Sequence, residues 1–121
     1  MTEIEVHKEM DISEERHEMK VVSVEAREVP KYDAVYQDFT CELLDVEGAP
    51  KLKVGFNSYV SASSQLGRFL TKLGLDIEGA AGGTINLDEA VGKPFNAVVR
   101  KDTNEHGTFH NIDKQSIQPS L

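Results

Sequence analysis

The chain has 121 residues and a mass of 13.4 kDa, enough for one domain whose core needs neither disulfides nor a structural metal. Its one cysteine, Cys41, excludes an intrachain disulfide. The sequence shows no secretory leader pattern and no apolar run of about 18 residues, so we expect a soluble, cytoplasmic protein with no membrane partner. The net charge of −8 disfavours nucleic acid as a ligand, but half of it lies in residues 1–20, which leaves the body of the chain closer to neutral.

The first 17 residues carry a few apolar side chains scattered among many charged ones. Such a segment has too little apolar surface to offset the entropy lost on ordering it. We therefore expect residues 1–17 to be an acidic, flexible N-terminal tail that folding does not require, and residues 18–121 to form the domain. An alternative role for the tail is to compete with nucleic acid for a basic face of that domain.

Three strands are predicted in the first half of the domain. Segment 18–29 is rich in valine and ends at Pro30, and simple alternation places Val22 and Val24 on one side and Val21 on the other. Segments 35–43 and 51–57 alternate apolar and polar residues, which is typical of half-buried antiparallel strands. The turn residues between these two segments predict a hairpin.

A helix is predicted after the third strand, where the apolar period changes. The residues at positions i, i+3, i+4 and i+7 form one apolar stripe: Leu66, Phe69, Leu70 and Leu73. Ser61 or Ser63 can cap its start, and Gly74 can adopt the left-handed conformation that often ends a helix. The stripe predicts that this helix packs one face against the core.

Two further strands complete the predicted fold. Segment 95–100 alternates, residues 102–107 form a hairpin loop, and the weaker segment 108–117 returns and stops before Pro119. The order is β-β-β-α-β-β. This order predicts an all-β protein with one helix, a five-stranded OB-fold Greek-key barrel in which the helix lies between the third and fourth strands.

Two parts of the sequence resemble small OB-fold proteins of phages and archaea that are associated with DNA replication or single-strand binding. The first is the serine-rich helix start of residues 61–70 followed by Leu73-Gly74. The second is residues 87–99, with Gly92-Lys93-Pro94-Phe95 opening the fourth strand, followed by Asn111-Ile112. Together they cover about half of the chain, at scaffold positions. The resemblance implies the OB-fold and a role in single-strand binding, and it implies no catalytic residues.

Single-strand binding requires cations that follow the phosphates and flat rings on which bases stack. OB-folds bind on the outer surface of strands 2 and 3, between the 1–2 and 4–5 loops. In this sequence those regions contain the candidate nucleic-acid-binding residues Lys31, Tyr32, Tyr36, Lys51, Lys53, Asn57, Arg100, Lys101 and His106, with His110 nearby. The leading hypothesis is therefore a module that binds single-stranded DNA or RNA and serves in replication.

Other classes of function are weighed against this hypothesis. A protein-interaction module could use an acidic surface to dock a basic partner without any affinity for nucleic acid, and a barrel that binds a small ligand or carbohydrate is a third class. We expect no enzyme, because Cys41 belongs to the apolar side of its strand and no nucleophile has a base at a readable spacing. We expect no cofactor and no metal site, since His106 and His110 flank a glycine and enter a strand rather than a helix.

Overall fold

The structure is a computed structural model in which residues 2–4 and 12–120 are described. Apart from short 3-10 turns, the elements in chain order are β1 (Arg16–Val29), β2 (Ala34–Leu43), β3 (Lys51–Asn57), α1 (Gln65–Lys72), β4 (Pro94–Asn104), β5 (Gly107–Ile112) and β6 (Gln118–Pro119). The described part of the chain is therefore mostly β, with six antiparallel strands and one α-helix, where five strands were predicted. No helix in the described part of the chain has the length and apolar character that crossing a bilayer requires.

The strands form one sheet in the order β3-β2-β1-β4-β5, and β6 pairs with β4 beside β5. β1 pairs with two strands: its residues 16–20 pair with β4, and its residues 19–29 pair with β2. Within the described residues the hydrogen-bonded path ends at β3 on one side and at β5 on the other, so the sheet is not closed. These two edge strands nevertheless lie close to each other in space. In place of the predicted five-stranded Greek-key barrel, the described residues thus show an open, six-stranded antiparallel sheet.

A β-bulge in β1 changes which residues face the core. The register passes from Val21 opposite Cys41 to Ser23 opposite Thr40, which leaves Val22 as the extra residue. Val21, before the bulge, is fully buried, and Val24, after the bulge, also packs against the core. The prediction that Val21 and Val24 lie on opposite sides of the strand was wrong, because strict alternation assumes a strand without an inserted residue.

The core lies between the sheet and α1, and four phenylalanine rings form its centre. The Phe69 ring of α1 contacts the Phe39, Phe56 and Phe95 rings of three strands, with ring centroids 4.9 to 5.3 Å apart. The whole predicted stripe of the helix is buried, which confirms that α1 packs one face on the core. Cys41 is buried beside these rings, as predicted.

The ends of α1 follow the expected chemistry with one change of residue. Ser64, rather than Ser61 or Ser63, caps the start: its Oγ accepts from the Gly67 amide at 3.0 Å. Gly74 has φ of +97°, the left-handed conformation predicted for the end of the helix. A side chain at Gly67 would collide with the Ser61 carbonyl, so this glycine lets the capping turn approach the helix.

The chain enters the core before the predicted start of the domain. Ile12 is fully buried in the hydrophobic core and His17 is only 3% exposed, and β1 begins at Arg16. Residues 12–17 of the predicted tail thus pack onto the domain, and burial of the Ile12 side chain stabilises that contact. Most of the predicted tail lies outside the described residues.

The last predicted strand is interrupted. β5 ends at Ile112, a 3-10 helix spans Lys114–Ser116, and β6 resumes the pairing with β4. Asp113 causes the break, because its carboxylate accepts from the Gln115 amide at 3.1 Å. Ser116 Oγ then accepts from the Val98 amide at 2.7 Å and replaces the missing strand bond. A side-chain hydroxyl thus allows the chain to leave and rejoin the same edge of β4.

Candidate nucleic-acid interface

One face of the β1-β2-β3 sheet points away from the core, and we call it the outer face. Alternate residues of the three strands line up in rows across it. The rows are Arg27–Tyr36–Asn57, Glu25–Asp38–Gly55, Ser23–Thr40–Lys53 and Lys20–Glu42–Lys51. The outer face is therefore polar throughout, with its aromatic row at the end where β2 begins.

All three tyrosines of the chain lie within or next to the strand ends at this row: Tyr36 in β2, Tyr32 before β2 and Tyr59 after β3. Tyr36 is directly opposite Asn57. The Tyr59 amide donates to Asn57 Oδ1 at 3.0 Å, and Tyr59 is 71% exposed. Tyr32 precedes β2 and is 67% exposed. One end of the sheet thus gathers three phenol rings, two of them largely in solvent.

Two cations lie against these rings. The Arg27 guanidinium carbon is 5.4 Å from the centroid of the Tyr36 ring, and the Lys31 ammonium is 5.6 Å from that of Tyr32. Both distances are within the ~6 Å at which a cation is attracted to an aromatic face. The aromatic end of the outer face is therefore also where positive side chains are held.

Arg27 is itself held by Asp38 in a bidentate ion pair, with Nε to Oδ2 at 2.7 Å and Nη2 to Oδ1 at 3.2 Å. These hydrogen bonds and the carboxylate charge raise the pKa of Arg27, so it stays charged. Gly55 makes room for the pair, because a Cβ there would lie 2.6 Å from Asp38 Oδ1. Asp38 positions Arg27 beside Tyr36, and it also cancels part of the positive charge of the face.

The two lysines of β3 stand further along the outer face. Lys53 is opposite the uncharged Thr40, whereas Lys51 is opposite Glu42. Both lysine side chains are exposed. Of the two, Lys53 has the neighbour that better suits a phosphate contact, because a carboxylate opposite a cation offsets its attraction for anions.

Three candidate residues lie on the β4–β5 hairpin instead. Arg100 forms an ion pair with Asp113 at 3.3 Å, and the Lys101 amide donates to Glu14 Oε1 at 2.6 Å. His106 is at the tip of the hairpin and is 76% exposed in its side chain, 3.5 Å from Glu105. Arg100 thus contacts the residue that begins the 3-10 segment, the Lys101 backbone contacts the N-terminal segment, and His106 contacts its own hairpin. The nine candidates thus fall into an aromatic end, a lysine pair and a separate hairpin.

Two residues of the aromatic end were missed in the sequence. Arg27 alternates with inward residues of β1, but the β-bulge at Val22 interrupts the alternation from which its side of the sheet is predicted. Tyr59 lies two residues after the last residue of a predicted strand, so the alternation of that strand does not predict the direction of its ring. The residue types alone could have identified both, since Arg and Tyr are common in single-strand sites.

Catalytic and metal chemistry is not evident in the described residues. Burial raises the pKa of the Cys41 thiol to about 12, so this thiol is not a reactive nucleophile. Within residues 2–4 and 12–120, no group of three or more His, Cys, Asp or Glu residues is placed to hold a metal ion.

Comparison with known proteins adds no assignment. No protein-family model matches the chain, and no curated protein matches its sequence.

Proposed function

We propose that the protein binds single-stranded nucleic acid on the outer face, and that its sheet is an OB-type barrel left partly open between β3 and β5. The element order, with α1 between the third and fourth strands, supports the barrel, as does the closeness of the two edge strands. OB-folds are partly open barrels, so an unpaired gap is compatible with this fold. A role in replication is part of the same proposal, and it rests on the resemblance of residues 61–74 and 87–99.

The observation that carries the proposal is the presence of all three tyrosines at one end of the β1-β2-β3 sheet, within or next to strands β2 and β3. A protein that only needs solubility has little reason to leave Tyr32 and Tyr59 67% and 71% exposed at the same end of one sheet. A single strand has such a reason, because each base that stacks on a ring contributes roughly 1–3 kcal/mol and every base has a flat face. Arg27 and Lys31, which already contact the rings, are placed to meet the phosphates between stacked bases.

The charge of the protein determines what kind of binding to expect. With a net charge of −8 and with Asp38 and Glu42 on the outer face itself, long-range attraction of phosphate is weak. Affinity must come from stacking and from a few close cation contacts, so it is moderate and depends on salt. The same argument favours single strands over duplexes, since duplex bases offer no free face to a tyrosine.

The direct test is a titration of a fluorescently labelled, mixed-sequence single strand at about 20 mM salt, where the Debye length is roughly 20 Å. We expect Tyr59→Ala to weaken binding by about 1–3 kcal/mol without changing the melting temperature, because the removed ring is exposed. Phe109→Ala is the matched control, since Phe109 is 48% exposed but lies on β5.

Folded protein that gives no signal at high micromolar concentration would overturn the proposal. The acidic protein-interaction module would then be the better hypothesis. Equal losses in Tyr59→Ala and Phe109→Ala would overturn the assignment of binding to the outer face.

A further inference from the structure

A cavity of about 250 Å³ opens between α1 and the 3-10 helix Lys114–Ser116, beside the unpaired edge of β3. Its wall carries three cations, Arg68, Lys72 and Lys114, and two amides, Gln65 and Gln115, and its floor includes the Phe56 ring. We call it the cation cavity.

Two elements bring the three cations together. Arg68 and Lys72 are one turn apart on α1, on the side of the helix next to its buried stripe. Lys114 approaches from the opposite side of the cavity, with its ammonium 5.0 Å from the centroid of the Phe56 ring. The cavity is therefore built by the docking of the 3-10 helix against α1, and residues more than 40 positions apart in the sequence contribute to it.

Within residues 2–4 and 12–120, no carboxylate lies within ion-pair distance of Arg68, Lys72 or Lys114. Like charges at i and i+4, as at Arg68 and Lys72, destabilise a helix slightly. Partial burial lowers the pKa of Lys114 despite the attraction of Asp38, so its surroundings disfavour the positive charge. An acidic chain thus brings three cations together in one recess.

We propose that the cation cavity binds a phosphate group. Three cations and two amide side chains supply more donors than one carboxylate could accept, and they match the several oxygens and the charge of a phosphate. The cavity is smaller than the roughly 300–1,000 Å³ typical of clefts that hold a drug-sized molecule, which suits a single anionic group. The site is independent of the tyrosines of the outer face, so it does not rest on the function proposed above.

The probe for the test is inorganic phosphate, added to the isotope-labelled full chain at constant ionic strength while backbone amide NMR signals are followed. We expect saturating shifts at Arg68, Lys72, Lys114 and Gln115. Arg68→Gln and Lys114→Gln should each weaken phosphate binding by about tenfold or more, since each removes a charged hydrogen-bond donor. Lys93→Gln removes the same charge from an exposed position just before β4 and should leave binding unchanged.

Absence of saturable shifts around the cavity at tens of millimolar phosphate would overturn the proposal, as would an equal loss in Lys93→Gln. Lys72→Gln provides a second variant at the wall of the cavity, and the amide spectrum of each variant reports whether it is folded. Tyr59→Ala should bind phosphate like the parent, which separates this site from the outer face.

Three sources of the phosphate are then distinguished by competition. If a short strand without a terminal phosphate displaces inorganic phosphate, the site takes a phosphodiester of a nucleic-acid backbone. If only a mononucleotide or a 5′-phosphorylated strand displaces it, the site takes a terminal phosphate. If neither displaces it, the cavity selects free phosphate. Each result keeps the site and assigns its ligand.

Discussion

His17 Nδ1 lies 2.9 Å from Asp45 Oδ1 and joins the start of β1 to the turn between β2 and β3. On the other side of the ring, Nε2 lies 2.8 Å from the carbonyl oxygen of Ser13. Both of these oxygens only accept, so the imidazolium, with a proton on each nitrogen, satisfies them together. Burial lowers the pKa of His17, but hydrogen bonds to Ser13 and Asp45, with the charges of Asp45 and Glu15, raise it above its ordinary value.

This arrangement makes stability depend on pH. Because the folded pKa is above the unfolded value of about 6.5, protonated His17 stabilises the fold fully below that pH. The contribution is lost as the pH rises through the folded pKa. We expect the free energy of unfolding, measured by urea denaturation, to fall as the pH rises above about 6.5 and His17→Gln to remove that part of the slope. His106→Gln, at an exposed site, should keep the parent slope, and an unchanged slope in His17→Gln would contradict the assignment.

Phe69 joins α1 to the sheet, so its removal tests the core. The side chain is 2% exposed and contacts three other phenylalanine rings. Phe69→Ala should lower the free energy of unfolding by about 3–5 kcal/mol in denaturant titrations. Phe109→Ala, on the exposed side of β5, should change it by less than about 0.5 kcal/mol. Similar small effects of the two variants would show that α1 does not complete the core.

Ile12 tests whether the N-terminal segment belongs to the domain. Because Ile12 is fully buried, Ile12→Ala should cost about 2–5 kcal/mol of stability. Ile4 is 85% exposed, so Ile4→Ala is the matched control and should have little effect in the same thermal melts. Deletion of residues 1–15 removes Ile12 and should therefore lower the melting temperature, contrary to the expectation from sequence. A deletion variant as stable as the parent would restore the original boundary.

Asp38 should limit the affinity of the outer face for phosphates. Asp38→Asn removes a negative charge and releases Arg27, so single-strand binding should tighten and its salt dependence should steepen by about 0.7 in log–log slope for one added phosphate contact. Glu78→Gln makes the same charge change on an exposed loop and should leave the slope unchanged. A flatter slope in Asp38→Asn would mean that the ion pair, rather than free Arg27, builds the site.

Much of the fold could be predicted because its signals are local. Alternation in 35–43 and 51–57 reports directly which side chains face the core, and the register of β2 and β3 follows from the short turn that joins them. The stripe of α1 and the left-handed Gly74 are equally local. The bulge at Val22 and the break at Asp113 could not be predicted in the same way. The bulge depends on how β1 pairs with β2, and the break depends on the hydrogen bond from the Val98 amide of β4 to Ser116 Oγ.

The residues of the candidate site could likewise be predicted only in part from the sequence. Tyr36, Lys51 and Lys53 were identified from the sequence, because a strand of known facing places its side chains on a known surface. Their grouping into an aromatic end, and the departure of Arg100, Lys101 and His106 to another hairpin, required the sheet order. The cation cavity required the docking of Lys114 against α1.

The sequence by itself determined the mostly β character of the protein, its helix and the composition of its core, because the spacing of apolar residues along a short segment shows which side chains are buried. Only the tertiary structure decided that Ile12 belongs to the core, that Arg27 forms an ion pair with Asp38 and that Arg68 and Lys114 line the same cavity. Each of these contacts joins segments that are distant in sequence. The energies of these contacts depend on distances and burial that cannot be predicted from a local pattern. A chain folds to a structure in which its local preferences and its tertiary contacts agree.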